Sequence, residues 1–168
     1  FKADLSEIKM FYGGNIPTPH IDALARSGIR YSAAYATASI CSPSRAGLLS
    51  GRFQGRFGFY FNLVGRETGM PNGETTIAEI AKQAGYRTAM VGKWHVGEGP
   101  GLEPLDQGFD SFFGFLGGAT SYFPDGTPAL VTADTGADKL VTRARFPILR
   151  GREVVKPPGN ITDVFTDE

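Results

Sequence analysis

Apolar positions along the chain follow two periods, one helical and one alternating. Thr18 can cap a helix with Pro19 in its first turn, Ile21, Leu24 and Ala25 on one face and Gly28 at the stop, so the pattern predicts a helix over 19–27. Ile29, Tyr31 and Ala33 then alternate with Arg30 and Ser32, which predicts a short strand from Ile29 to Tyr35. Around residue 42 a helix is signalled by Ser42 as N-cap, Pro43 at the first helical position, Leu48 and Leu49 as apolar surface, and Gly51 at the end. Thr76-Ile77-Ala78-Glu79 fits a capping box for a further helix with Ile77, Ile80, Ala81 and Ala84 inward and Gly85 closing it. A strand from Tyr86 to Val91 follows.

Helix, glycine, then apolar strand is the cadence of layered α/β proteins, in which parallel strands are joined through helices. Phe109, Phe112, Phe113 and Phe115 form a dense aromatic run that reads as core, and Pro147 to Val155 around Gly151 reads as a hairpin. The stretch from Pro124 to Asp138 has little periodicity and reads as an excursion loop. Thr162 to Glu168 has the pattern of a capped helix that begins and then stops, and the first residue is Phe1, so the chain reads as part of a longer protein.

Composition narrows the classes. With 168 residues, 41% hydrophobic and 12% aromatic, the chain can bury one core, and two full domains are not expected. Lys+Arg 17 balance Asp+Glu 17, so no global field recruits nucleic acid or an anionic membrane surface, and a nucleic-acid reader is disfavoured. No apolar run approaches the roughly 20 residues that span a bilayer. The single cysteine excludes an internal disulfide and a two-cysteine metal clip. Cys41 is thus either buried filler or chemistry.

The segment Cys41-Ser42-Pro43-Ser44-Arg45-Ala46-Gly47-Leu48-Leu49-Ser50-Gly51-Arg52 carries the most information. Placed just before a helix N-terminus, Cys41 meets free N–H groups and a dipole that lower a thiol pKa and also suit a sulfate or phosphate. Arg45, about one turn on, can reach back to the same anion. The segment Cys-x-Pro-Ser-Arg followed by x-x-Leu-x-x-Gly-Arg resembles the signature of the type I sulfatases, in which the cysteine is oxidised to formylglycine. Ser50 stands where that family usually has Thr, an exchange that keeps the hydroxyl.

Three further blocks extend the resemblance over nearly the whole chain. Ile16-Pro17-Thr18-Pro19-His20-Ile21-Asp22-Ala23-Leu24-Ala25 is similar to the family's first helix, Gly92-Lys93-Trp94-His95-Val96-Gly97 to its Gly-Lys-Trp-His-Leu-Gly loop, and Gly108-Phe109-Asp110 through Phe115 to its Gly-Phe-Asp segment. The resemblance implies an α/β fold: a partial alkaline-phosphatase-like layered sheet with flanking helices, truncated at both ends. It also implies that residues 1–168 are the amino-terminal part of a single catalytic domain.

Lys93 and His95 follow an apolar strand, where open parallel sheets place their ligand crevices. In a strand-like loop, residues two apart point the same way, so an ammonium and an imidazole can converge on one anion while Trp94 enters the core. The competing reading leaves Lys93 solvated and His95 bonded to a backbone group. His20 lies on a helix without a partner in sequence and reads as a surface residue.

The family opens its sheet with an apolar strand ending in an Asp-Asp pair that holds calcium or magnesium. Here the matching stretch is Ala3-Asp4-Leu5-Ser6, in which Asp4 corresponds to the second aspartate and Ala3 stands at the first. The resemblance therefore implies Ca²⁺ or Mg²⁺ with Asp4 and the residue derived from Cys41 as ligands, although calcium wants about 6 to 8 oxygens and these two cannot supply them.

The implied activity is hydrolysis of a sulfate monoester. Hydrated formylglycine at residue 41 attacks sulfur with one hydroxyl and displaces the alcohol, and the second hydroxyl then loses its proton and expels sulfate. Arg45 is implied to hold the nucleophile and metal side, Lys93 to neutralise sulfate oxygens, His95 to assist proton movement, and Ser44 to position the nucleophile. The implied partners are a sulfated small-molecule or carbohydrate substrate and a formylglycine-generating or other sulfatase-maturing enzyme. Family members work in secreted, periplasmic or lysosomal settings. A phosphonate or phosphate ester hydrolase of the same superfamily, and a catalytically inactive binding domain, are the alternatives, and the 168 residues alone are expected to be inactive.

Overall fold

A computed structural model describes residues 17–62, 68–122 and 146–168. The chain divides into two compact units, Phe1–Ala36 and Thr37–Glu168. In the first, helix α1 spans Pro19–Ser27, as its pattern predicts. Thr18 does not cap it: its hydroxyl donates instead to Asp22 Oδ1 at 3.0 Å. The strand expected from Ile29 to Tyr35 is not formed; these residues are irregular, with Ile29, Tyr31 and Tyr35 exposed. Alternation creates a two-faced segment, but a strand also needs a neighbour for its N–H and C=O groups, and no described strand pairs with this one.

The second unit is built on a four-stranded sheet, β1 Ala89–Lys93, β2 Ser111–Phe115, β3 Ile148–Arg150 and β4 Glu153–Val155, in the order β1-β2-β3-β4. β1 and β2 are parallel with Lys93 opposite Phe115, and the other pairs are antiparallel. The strand predicted from Tyr86 to Val91 is shifted: Tyr86 to Thr88 stay outside it and it continues to Lys93. Asp110 explains the late start, because its carboxylate accepts from Thr88 N at 2.9 Å and pairs with Lys82 at 2.6 Å, occupying the backbone ahead of the strand. The hairpin around Gly151 forms as expected, with Gly151 in the left-handed region at φ 62°.

β2 is buried on both faces. Phe112 packs with Ala46, Phe59, Met70, Trp94, Val96 and Leu149, whereas Phe113 and Phe115 pack with Ile148 and Ile161 on the other side. At Gly114 a Cβ would collide with the Gly92 carbonyl of the paired strand, so only glycine lets β1 and β2 approach here. Helix α3, Ile77–Gln83, has the capping box: Thr76 Oγ1 accepts from Glu79 N at 3.1 Å and Glu79 reaches back to Thr76 N. Its inward face is not the expected one, since Ala78 is buried while Ile77, Ile80 and Ala84 are exposed. Thr76 Oγ1 donates to Gln107 O at 2.7 Å from a fully buried position, which anchors the helix by its start and turns Ala78 inward. Helix α4, Ile161–Asp167, begins one residue before the sequence pattern suggests, with Asn160 as its N-cap. The excursion expected from Pro124 to Asp138 lies outside the described residues.

Candidate active site

Helix α2 spans Cys41–Ser50 and ends at Gly51, whose φ of 64° supplies the left-handed cap. It starts two residues earlier than the sequence suggests. Ile40 occupies the N-cap and has no side-chain oxygen, so Cys41 stands in the first turn and Ser42 is not the cap. Ser42 is fully buried, and its Oγ has no hydrogen-bond partner among the described residues. Its N–H instead donates to Asn62 Oδ1 at 3.1 Å, twenty residues downstream. Pro43 lacks an N–H and costs nothing in a turn whose donors are orphaned anyway. Ala46 and Leu49 dock this helix on the core that holds Trp94.

Trp94 fixes the loop after β1. It is fully buried, donates from Nε1 to Leu102 O at 2.9 Å, and meets Phe109 edge to face at 6.0 Å. With the indole inward, Lys93 and His95 flank it. His95 departs from the strand-like geometry expected of this loop: its φ is 59°, a left-handed conformation uncommon outside glycine, while its N–H still donates to Leu116 O at 2.8 Å. The ring is buried against Gly118, and Nδ1 has no hydrogen-bond partner among the described residues.

These elements bring Cys41, Arg45, Lys93 and His95 into one electrostatic group. Burial works to raise the Cys41 thiol pKa, but the Lys93 ammonium as hydrogen-bond donor and charge, the main-chain amide and Asn62 together hold it below its ordinary value. His95 is pushed down to about 4, first by burial and then by the charges of Lys93 and Arg45, so at neutral pH it is an uncharged imidazole. Burial also lowers Arg45, partly offset by Cys41. Arg45 donates from Nε to Trp94 O at 2.6 Å and from Nη2 to Lys93 O. Ser44 is half-buried in the same first turn as Cys41. His20 is exposed on α1, as expected.

One contributor, Asn62, was not singled out by sequence, and a second, Arg52, was named only as the end of the signature segment. Asn62 sits in an irregular segment after a one-turn 3₁₀ helix, Gln54–Phe57, with no motif around it. Arg52 forms a two-pronged ion pair with the buried Glu74, at 2.7 and 2.5 Å, which fastens the end of α2. The described residues do not fit a divalent cation. The groups turned toward Cys41 are ammonium, guanidinium and amide, and no cluster of three or more His, Cys, Asp or Glu is present among the described residues. Asp4 lies outside them.

Residues 7–139 match the Sulfatase family, and the chain belongs to it. Arylsulfatase of Klebsiella aerogenes is 42% identical over 125 residues, covering 70% of this chain and 27% of that protein. Arylsulfatase G of Rattus norvegicus is 48% identical over 98 residues, covering 58% of the chain and 19% of the relative. The crystal structure of Ps i-CgsB superposes with a TM-score of 0.76 at 37% identity, over 92% of this chain and 35% of that one, and its complex with k-i-k-neocarrahexaose gives 0.75 at 36%. The fold is therefore that part of the alkaline-phosphatase-like α/β architecture found in sulfatases. The chain spans about a quarter of the length of the curated relatives it matches.

Proposed function

We propose that the whole protein hydrolyses a sulfate monoester and that residue 41 carries the nucleophile. The observation that carries this reading is the grouping of a half-buried Cys41 in the first turn of α2 with Lys93, Arg45 and a neutral His95. Formylglycine fits at residue 41, because the side chain is accessible and already has the Lys93 ammonium and Asn62 turned toward it; the modification supplies a hydrated aldehyde with two oxygens.

In this reading Lys93 and the helix start neutralise the oxygens of the bound sulfate ester, where charge gathers as the S–O bond breaks. His95, uncharged near neutral pH, accepts a proton at a ring nitrogen and returns it later in the cycle. Arg45 spends two of its five N–H groups on the Lys93 and Trp94 carbonyls, which orients the remaining edge and the backbone beneath Lys93 together. Ser44 positions the nucleophile from the same turn. The described residues offer no group of three or more His, Cys, Asp or Glu for the Ca²⁺ or Mg²⁺ that the family resemblance implies. A maturing enzyme that recognises the Cys41 segment, and a secreted, periplasmic or lysosomal home, accompany this reading by family likeness. The bound neocarrahexaose of Ps i-CgsB supports a sulfated carbohydrate as the substrate class.

The full-length protein, co-expressed with a maturing enzyme, is assayed on aryl sulfates, sulfated oligosaccharides and the matching phosphate monoesters. Sulfate release that exceeds phosphate release supports the proposal. Preference for phosphate gives the sister esterase reading, and binding without turnover of either gives an inactive binding domain.

A further inference from the structure

We infer that Asn62 is a positioning residue for the side chain of residue 41, acting as the N-cap that α2 lacks in its own sequence. The inference rests on the reading of residue 41 as the nucleophile's precursor. At the usual N-cap place stands Ile40, which has no acceptor, yet the second N–H of the helix, on Ser42, is paired with Asn62 Oδ1 at 3.1 Å. That bond fixes which way the carboxamide faces. With Oδ1 committed to Ser42 N, the Nδ2 end is left to donate, and Cys41, next to Ser42 in the same turn, is the side chain whose thiol pKa Asn62 helps to lower.

One side chain thus satisfies the helix start and presents an N–H to residue 41. Ser42 itself cannot do this, because its Oγ is buried without a partner among the described residues. Ser44 N donates to Ile40 O at 3.3 Å and Pro43 has no N–H, so Ser42 is where the first turn needs an outside acceptor. Asn62 is also the point where the segment after the 3₁₀ helix touches the site, so it couples the place of that segment to the orientation of residue 41.

The test uses the full-length protein in its unconverted thiol form, with Asn62→Ala and Asn62→Asp compared by melting temperature and by the pH dependence of iodoacetamide labelling of Cys41. Asn62→Asp keeps the acceptor for Ser42 N and should melt like wild type; Asn62→Ala loses it and should melt lower. Asn62→Ala should move the labelling midpoint upward, lowering the labelling rate at pH 7 about threefold or more, since it loses the donor facing sulfur, and Asn62→Asp should move it further because its carboxylate adds a like charge. A lower melting temperature with an unchanged midpoint would reduce Asn62 to a structural cap and overturn the inference. Should Asn62→Ala fail to fold, an unchanged midpoint in Asn62→Asp overturns it alone. Labelling reads the thiol and not turnover, so a failure here leaves the sulfatase reading standing, and a failure of that reading leaves this result intact.

Discussion

The Arg45 guanidinium donates to the main-chain oxygens of both Lys93 and Trp94, tying the first turns of α2 to the end of β1 across 48 and 49 residues of sequence. A charged group held by two backbone acceptors is part of the scaffold. A lysine keeps the charge but not the fork. Arg45→Lys is therefore expected to lower stability by about 1.5–3 kcal/mol for a lost charged hydrogen bond and to reduce turnover as well. Chemical denaturation alongside kcat/KM checks this; wild-type stability with lowered turnover would confine Arg45 to substrate binding.

The Lys93 ammonium bears on both Cys41 and His95. Lys93→Ala should raise the labelling midpoint of the Cys41 thiol and, in the matured full-length protein, lower turnover by about 10²- to 10³-fold, the usual loss for a preorganised group that meets developing charge. A mutant with wild-type turnover would remove Lys93 from the site.

His95 gives the fold a pH dependence. Its ordinary value of 6.5 falls to about 4 in the folded chain. Between these values the unfolded chain binds a proton that the folded chain does not, so stability falls as pH drops from 6.5 toward 4 and the loss is complete below that. His95→Gln should flatten the melting-temperature profile within this window. Identical profiles for the two proteins would contradict burial of a neutral imidazole.

Trp94 should act on stability first. Its indole is fully buried and hydrogen-bonded to Leu102 O, so Trp94→Ala is expected to cost about 3–5 kcal/mol, with activity lost through the fold. Trp94→Phe retains most of the apolar contact and should lose less. Equal melting temperatures for Trp94→Ala and wild type would show that the loop is held by something else.

Local signals were legible where one residue type dictates one geometry. The Thr76 and Glu79 capping box, the Gly51 stop, the Gly151 hairpin and the burial of Trp94 all follow from sequence. The misses need partners distant in the chain. Ile29 to Tyr35 alternates like a strand but has no described neighbour to pair with, and the inward face of α3 is decided by Gln107 receiving Thr76 rather than by the apolar stripe. At the site, Cys41, Arg45, Lys93 and His95 were legible because their segments resemble a family signature. Asn62 was not, because a lone asparagine in an irregular segment gives no pattern until folding sets it against Ser42.

In the proposed reaction residue 41, once converted, is the nucleophile for sulfate ester cleavage. The measurement that tests it most directly is sulfate release by the full-length protein, prepared with varying amounts of maturing enzyme, plotted against the fraction of Cys41 found as formylglycine by peptide mass spectrometry. Sulfate release should rise along a line through zero, and Cys41→Ala should show no turnover. Sulfate release at full rate from unconverted protein, or from Cys41→Ala, would contradict it.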